Sequence, residues 1–241
     1  MTGSRGGAGS VVCCGLPLLL ATLVLSVADS AAAQVRVSAE LASEARFRGR
    51  SVSDNQPVAG LDLSYDATSG VYAGIAGDLV ATAHNGVQPL TLREYAGWAR
   101  RLDNGPTIDL GLTHANYTEY YGPRRAAHYS EIYAGVSVRR VTGRLSYSPS
   151  YFGREVRTLY GEVDSAVQPA RNWRLSAHAG VLARVGGAPL PPTYRPMQYD
   201  WRLGLTRAVR GFQIELAWSG AGPDAAYGSR SGVVLALRRD F

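Results

Sequence analysis

Apolar and polar residues alternate along most of the chain, beginning at residue 35. The odd positions from Val35 to Phe47 are mostly apolar, and the even positions from Arg36 to Arg48 are mostly polar or charged. Because successive side chains of a β-strand point to opposite faces, this pattern predicts a strand with one apolar and one charged face. The alternation recurs near 59–66, 108–113, 131–139, 159–164, 173–184, 200–206, 212–219 and 233–241. Weaker segments at 71–82, 91–101 and 143–149 bring the predicted total to about twelve strands.

The connections between these segments alternate in length. The short ones lie near 67–70, 101–106, 139–143, 168–172 and 209–211, and the longer ones near 49–57, 82–90, 119–128, 149–156, 185–198 and 219–230. Antiparallel strands that run up and down place successive connections at opposite ends. Short turns at one end and long loops at the other are typical of outer-membrane barrels. Since the first connection is long, both ends of the barrel domain are predicted at the short-turn end, on the periplasmic side.

The apolar face could point inward, as in a soluble sandwich or lipocalin-like barrel, or outward to lipid. Twelve strands exceed the eight of a lipocalin, and many are long enough to cross a membrane. No later segment is apolar enough for a membrane-spanning helix. The predicted fold is therefore an all-β, antiparallel, up-and-down transmembrane β-barrel. Aromatic residues near strand ends suit a membrane-interface girdle, predicted as Phe47, Trp98, Trp173, Trp201, Trp218 and Phe241.

Residues 1–33 have the features of a signal peptide, with Arg5, an apolar run from Val11 to about Val27, and a small-residue exit at 31–33. An N-terminal membrane anchor is the alternative reading. We expect cleavage after Ala33 and a barrel domain over 34–241. Both cysteines lie in the leader, so disulfides and cysteine chemistry are excluded from the mature chain.

All 25 basic residues are arginine, and the formal net charge is +6. Acidic residues are interleaved with the arginines, which together with export argues against nucleic acid as a partner. The charged positions opposite the apolar face should line the lumen. These candidates are Arg36, Glu40, Glu44, Arg46, Arg48, Asp62, Asp66, Asp109, Glu131, Arg139, Arg144, Glu162, Asp164, Arg174, Arg184, Arg202 and Glu215.

Two readings of the lumenal charges stay open. They form an electrostatic filter, with cationic positions favouring anions, or they pair with one another and fill the interior. Eight strands enclose a filled interior and sixteen or more a channel, so twelve strands do not decide the matter. Within this set, Arg46 and Arg48 are expected at the barrel mouth and Phe47 in lipid. Arg50 is placed in the following loop.

Enzymatic and metal chemistry find little support in the sequence. His178 is predicted on the lumenal face two residues from Ser176, but no nucleophile elbow or orienting acid accompanies them. Asp54 and Asn55 could bind calcium, yet they are explained as turn formers. We therefore predict no enzyme, no metal and no cofactor. The proline-rich segment 186–196 is either an inward-folding plug or an exposed loop.

Several segments resemble the TorF family, which comprises exported, porin-like bacterial proteins of poorly characterised function. They are "FRGRSVSDNQPVAGLDLSYDATSGVYAGI", "EYAGWA", "SEIYAGVSV", "LSYSPSYFG", "YDWRLGLTRAVRGFQIELAWSG" and "LALRRDF", spread from about Gln34 to Phe241. The most specific are Phe47–Pro57, and Tyr147-Ser148-Pro149 followed by Phe152-Gly153. This chain departs from the acidic, calcium-like loops of many members, because its own loops are rich in arginine and proline.

The resemblance implies an outer-membrane location and a porin-like role. The terminal Phe241 is similar to the C-terminal aromatic residue that the barrel-assembly machinery recognises. We predict passive diffusion of small hydrophilic solutes, with an anion bias, through a barrel embedded in outer-membrane lipid and lipopolysaccharide. The alternatives are a non-conducting structural or surface-interaction barrel and a lipid-modifying outer-membrane enzyme.

Overall fold

A computed structural model describes residues 34–103, 105–118, 127–153, 155–187, 195–222 and 231–241. The predicted signal peptide and residues 188–194 of the proline-rich segment lie outside these ranges. The strands are β1 (Gln34–Ala42), β2 (Arg46–Phe47), β3 (Arg50–Ser51), β4 (Val58–Asp66), β5 (Val71–Thr82), β6 (Gly86–Arg101), β7 (Thr107–Tyr117), β8 (Ala127–Val138), β9 (Val141–Ser148), β10 (Val156–Ala170), β11 (Trp173–Gly187), β12 (Met197–Val209), β13 (Phe212–Ala221) and β14 (Gly232–Asp240).

Twelve of these strands close into one antiparallel barrel, in which β1 pairs with both β14 and β4. All other neighbours in the barrel follow one another along the chain. The two short strands, β2 and β3, form a separate hairpin. This confirms the predicted all-β barrel of about twelve strands, including the three weaker segments. Within the described ranges, helices of the length and hydropathy needed to cross a membrane are absent.

The apolar face of the barrel points outward. On β13, Leu216 and Trp218 are 52% and 51% exposed, whereas Ala217 between them is 1% exposed. The same alternation of exposed apolar residues runs around the barrel. Trp201 and Trp218 stack edge-to-face near the long-loop end, with ring centroids 4.3 Å apart. A soluble barrel would bury this face, so the outer surface is suited to contact with hydrocarbon.

One predicted loop is wrong. The connection between β5 and β6 covers only residues 83–85, not 82–90. A β-bulge between Asp78 and Leu79 shifts the register with β6. Leu90 is the extra residue, and it is 1% exposed. Because a bulge breaks the period-two pattern, the start of this strand resembles a loop in the sequence.

A second correction concerns the end of β1. The alternation predicts a strand through Phe47, but β1 ends at Ala42. The chain then turns inward and forms the β2–β3 hairpin, which we call the plug hairpin. Its two turn residues, Arg48 and Gly49, have φ angles of 47° and 73°. Positive φ at both positions is characteristic of the two-residue type I′ turn.

The core of the protein lies inside the barrel, at the long-loop end. It is formed by Ala42, Val52, Val58, Val80, Leu90, Ala115, Tyr117, Tyr129, Val234 and Ala236, with Ala45, Phe47, Ala127, Tyr151 and Phe152 packed against them. The plug hairpin and its flanks contribute Ala45, Phe47 and Val52 to this cluster. The interior near the long loops thus contains the apolar core, and most of the lumenal charges lie nearer the short turns.

Candidate functional site: the barrel lumen and its plug hairpin

The plug hairpin crosses the lumen. Arg48 at its tip donates two hydrogen bonds to the Glu131 carboxylate of β8, at 2.8 and 2.9 Å. In the barrel order, β8 lies five strands from β1 in one direction and seven in the other. The hairpin that leaves β1 is therefore attached to the wall almost diametrically opposite. The Arg48 guanidinium also lies over the Tyr160 ring, 3.8 Å from its centroid.

The Arg48–Glu131 pair is well shielded from water. The two side chains are only 11% and 9% exposed. Burial alone would lower the pKa of Arg48, but the contacts with Tyr151 and Glu131 outweigh it, so its pKa is raised. Arg48 is therefore a permanent cation held by an adjacent carboxylate.

The other side of the hairpin contacts β13. Arg46 bonds the Glu44 carboxylate at 2.8 Å and the Ser219 carbonyl at 3.2 Å. Gly49 approaches the β13 backbone so closely that a Cβ there would lie 2.2 Å from the Gly220 carbonyl oxygen. Only glycine fits both this approach and the positive φ. The hairpin is consequently fixed between two opposite sides of the barrel.

Phe47 lies inside the barrel, which corrects its predicted place in the aromatic girdle. Its ring centroid is 5.3 Å from Tyr129 and 6.0 Å from Phe152. Period-two alternation still holds at this position, but the strand that carries it is in the lumen. Trp98, Trp173, Trp201 and Trp218 are carried on the outward-facing positions of the wall. Phe241 is 69% exposed after β14.

Beyond the hairpin, the lumen holds a cavity of about 1130 Å³. Eight arginines and eight carboxylates line it, so their formal charges cancel. The predicted lumenal residues among them are Glu40, Glu44, Arg46, Arg48, Arg139, Glu162, Asp164, Arg174, Arg202 and Glu215. Six charged residues of the lining were not predicted, namely Asp78, Arg93, Arg140, Asp200, Arg238 and Asp240. Asp200 and Arg238 are on the lumenal parity of their strands, so the alternation could have predicted them. Asp78 and Arg93 lie on the weaker strands, whose inward and outward faces the sequence did not distinguish.

The remaining predicted residues lie outside this cavity lining. Asp62 accepts a hydrogen bond from Tyr95 at 3.3 Å, and Asp109 pairs with Arg144 at 3.1 Å. Glu131 is the partner of Arg48. Arg184 bonds the Gly187 carbonyl near the long-loop end, while Arg36 and Asp66 are on strand positions near the short-turn end.

Many lumenal charges are paired. Arg144 bridges Asp109 and Glu162 at 3.1 and 3.9 Å, and Arg202 pairs with Glu215 at 2.9 Å. Arg139 and Arg174 differ, because neither forms an ion pair with any carboxylate in the described part of the chain. The charged side chains in the middle of the lumen are therefore largely neutralised by ion pairs. Arg139 and Arg174, which have no carboxylate partner among the described residues, lie toward the short-turn end.

His178 lies in a cluster of carboxylates. Its Nδ1 is 2.8 Å from Asp164 and its Nε2 is 3.0 Å from Asp200. Glu162, Asp164 and His178 bring ligand atoms within 4.8 Å of one another, a metal-like spacing that the sequence did not reveal. A metal ion would have to displace the His178–Asp164 contact, so we assign the group to ion pairing. Ser176, its predicted neighbour, instead bonds the Gly204 carbonyl at 3.4 Å.

Solved structures with a similar fold include outer-membrane channels. The NanC porin superposes with a TM-score of 0.56 at 8% identity, over 86% of this chain and 99% of that one. The COG4313 outer membrane channel from Pseudomonas putida F1 gives 0.51 at 12% identity, over 88% and 96%. At these identities the likeness shows the fold.

No curated protein matches the sequence. A family profile described as a bacterial protein of unknown function, Gcw_chp, matches residues 28–239. The finer resemblance to TorF proteins stays a prediction. The match spans almost the whole barrel domain, and the chain therefore belongs to the Gcw_chp family of bacterial proteins.

Proposed function

We propose that this protein is an outer-membrane channel for the passive diffusion of small hydrophilic solutes. The observation that carries the proposal is a closed barrel with an apolar outer face around a charged cavity of about 1130 Å³. In lipid, a closed barrel pairs its backbone donors and acceptors without an open edge. The shared fold with a porin and an outer-membrane channel supports this reading.

The outward apolar band is the basis for placing the protein in outer-membrane lipid and lipopolysaccharide. Phe241 follows the last strand and is exposed at the short-turn end, where the barrel-assembly machinery could bind it. Heat-modifiable mobility on a detergent gel tests the membrane-barrel state. A band that runs identically with and without boiling contradicts it.

The cavity lining suits hydrated, polar solutes. We assign the anion bias to Arg139, Arg140 and Arg174, which line the cavity at its short-turn end. Arg46 and Arg48 are committed to Glu44 and Glu131, so they act mainly in holding the plug hairpin. The hairpin narrows the lumen on the other side, which favours small solutes over large ones.

Planar-bilayer recording of the refolded barrel tests this function. We expect reproducible single-channel steps and a reversal potential that indicates anion preference. The double variant Arg139→Glu with Arg174→Glu should shift the reversal potential toward cations. Arg100→Glu, on an outward-facing position, is the matched control and should leave it unchanged. An unshifted potential in the double variant would reject these arginines as the filter.

A non-conducting surface barrel is the second candidate, and the plug hairpin favours it. Phe47 and its aromatic neighbours occupy the long-loop end of the lumen, where a solute would pass. Weakening the hairpin separates the two functions. A channel should conduct more when Arg48 is replaced by alanine, whereas a surface barrel should stay silent in both forms.

A further inference from the structure

Three polar residues form a row on the outer surface of the barrel. Glu94 on β6 pairs in register with His114 on β7, and His114 pairs with Ser130 on β8. Each side chain points outward because its chain neighbours point inward. Arg93 lines the lumenal cavity, Ala115 belongs to the interior core, and Tyr129 and Glu131 are both buried on the lumenal side.

The row lies at the long-loop edge of the apolar outer surface. Of the outward residues next to it along the same strands, Leu92, Leu112 and Ile132 are 42%, 53% and 62% exposed. Asn116 and His128, on the long-loop side of His114 and Ser130, are exposed polar residues, and the His128 ring centroid lies 6.1 Å from that of His114. The register partner of Glu94 on its other side is Ile75, which is also exposed. A charged group on the lipid face of a barrel destabilises it. Placing a carboxylate, an imidazole and a hydroxyl side by side there therefore suggests a function.

The geometry within the row is that of an activated hydroxyl. His114 Nδ1 lies 2.8 Å from Ser130 Oγ. When Nε2 carries the imidazole proton, the serine hydroxyl donates to Nδ1, so His114 can accept its proton. Directly paired residues on one face of antiparallel strands have Cβ atoms roughly 5 Å apart, so Glu94 neighbours His114 on the side away from Ser130. Among the described residues the two side chains form no ion pair within 4 Å, so the carboxylate reaches the imidazole only by a change of rotamer. The order acid, imidazole, hydroxyl is that of a catalytic triad.

We propose that Glu94, His114 and Ser130 form a lipid-facing hydrolytic site that cleaves acyl esters of membrane lipids. Ser130 is the nucleophile, His114 the general base and acid, and Glu94 the positioning residue that orients the imidazole. The inference rests on the proposed membrane location but not on solute passage. The sequence left a lipid-modifying enzyme only as an alternative and named no residues for it, and the site proposed here uses residues other than Ser176 and His178.

The chemistry balances with water as the only co-reactant. Ser130 Oγ forms a bond to the ester carbonyl carbon while its proton passes to His114. The carbon–oxygen bond to the alcohol then breaks, and His114 returns the proton to the departing alkoxide. Water, deprotonated by His114, attacks the acyl-serine, so a fatty acid leaves and Ser130 regains its proton. The net reaction converts one ester and one water into an acid and an alcohol.

A fluorophosphonate probe tests the nucleophile in the full-length barrel refolded in detergent. We expect covalent labelling that peptide mass spectrometry places on Ser130, with Ser130→Ala and His114→Gln each abolishing it. Ser165→Ala is the matched control, since Ser165 also faces outward but pairs with Ala177 and Val141 rather than a histidine. It should label normally. Absence of labelling at Ser130 in a barrel shown to be folded by heat-modifiability overturns the proposal.

Fatty-acid release from mixed micelles identifies the ester. One arm contains diacyl phospholipid and the other lipopolysaccharide, so the products distinguish the two sources. We expect Ser130→Ala to lose at least about 100-fold in rate, in the range of acid–base and nucleophilic contributions. Glu94→Gln should lower the rate and shift its pH profile, because the imidazole loses its carboxylate. Release from neither lipid, or equal release by Ser130→Ala, overturns the site.

The two proposals can fail separately. A barrel that conducts in planar bilayers but releases no fatty acid contradicts only the hydrolytic site. A barrel that releases fatty acid but is electrically silent contradicts only the channel.

Discussion

Replacing Arg48 with alanine should release the plug hairpin from the barrel wall. The side chain makes two charged hydrogen bonds to Glu131 and lies over Tyr160, and both ion-pair partners are shielded from solvent. Removing one partner of a buried ion pair costs about 3–5 kcal/mol, because the remaining charge is left without compensation. These contacts join the hairpin to the wall, so the cost falls on hairpin docking rather than on barrel closure.

A loss of about 3 kcal/mol corresponds to a shift of roughly 100-fold in the equilibrium between docked and undocked hairpin, at 1.4 kcal/mol per factor of ten. Two amides report on this equilibrium. Val52 N–H donates to the Ala45 carbonyl at 2.9 Å, and Ala45 N–H donates to Ser53 Oγ at 3.0 Å. Their hydrogen exchange in the refolded barrel should accelerate by about the same factor.

The matched control is Arg202→Ala. Arg202 also forms a lumenal ion pair, with Glu215, but it lies on the wall strand β12 and is 43% exposed. Its removal should leave both amides protected, since exposed pairs contribute at most about 1 kcal/mol. The double variant Arg48→Met with Glu131→Leu should recover much of the protection, because no buried charge is left unpaired. Protection of Val52 and Ala45 that is unchanged in Arg48→Ala would refute the anchoring role.

Three further variants test other parts of the structure. Gly49→Ala should also undock the hairpin and speed exchange of its amides, since its Cβ would lie 2.2 Å from a carbonyl oxygen of β13, whereas Gly143→Ala, with no atom within 4 Å, should not. Phe47→Ala should lower the free energy of unfolding by about 3 kcal/mol in chemical denaturation, because it empties the aromatic cluster; an unchanged unfolding midpoint would mean that the cluster contributes nothing. Leu216→Arg should destabilise the folded barrel in lipid vesicles by about 2–4 kcal/mol, as expected for arginine on a lipid face, and so lower the folded fraction. Gln213→Arg on the lumenal parity should fold normally. Equal folding of these two variants would contradict an outward lipid face.

The alternation of apolar and polar residues with a period of two was sufficient to predict the fold class. Each strand of the barrel has one environment on each side, so alternation at Val35–Leu41 or Phe212–Trp218 directly reports a pleated strand between lipid-facing and lumenal surfaces. The alternating lengths of the connections predicted which end of the barrel carries the short turns and which carries the long loops. Both signals are local, because they depend on neighbouring residues and on the pairing of successive strands.

Alternation does not show whether a strand belongs to the barrel wall or lies inside the lumen. For this reason the sequence did not reveal the plug hairpin. Residues 43–47 continue the pattern of β1, yet the segment 43–57 leaves the wall and places Phe47 in the lumen. Their position depends on contacts with Glu131 and Ser219, which are distant in sequence and come together only when the barrel closes. The sequence therefore assigned Phe47 to lipid because the competing partners could not be read from it.

The dependence on distant contacts also explains why the lumenal charges could be predicted from the sequence and the row on the outer surface could not. Parity predicted that residues such as Glu162 and Arg202 face the lumen, and both line the cavity. The assembly of Glu94, His114 and Ser130 depends on the register of β6, β7 and β8, which is set by turn geometry as well as by parity. A strand pattern gives the face on which a side chain lies, but only the closed barrel decides which side chains become its neighbours.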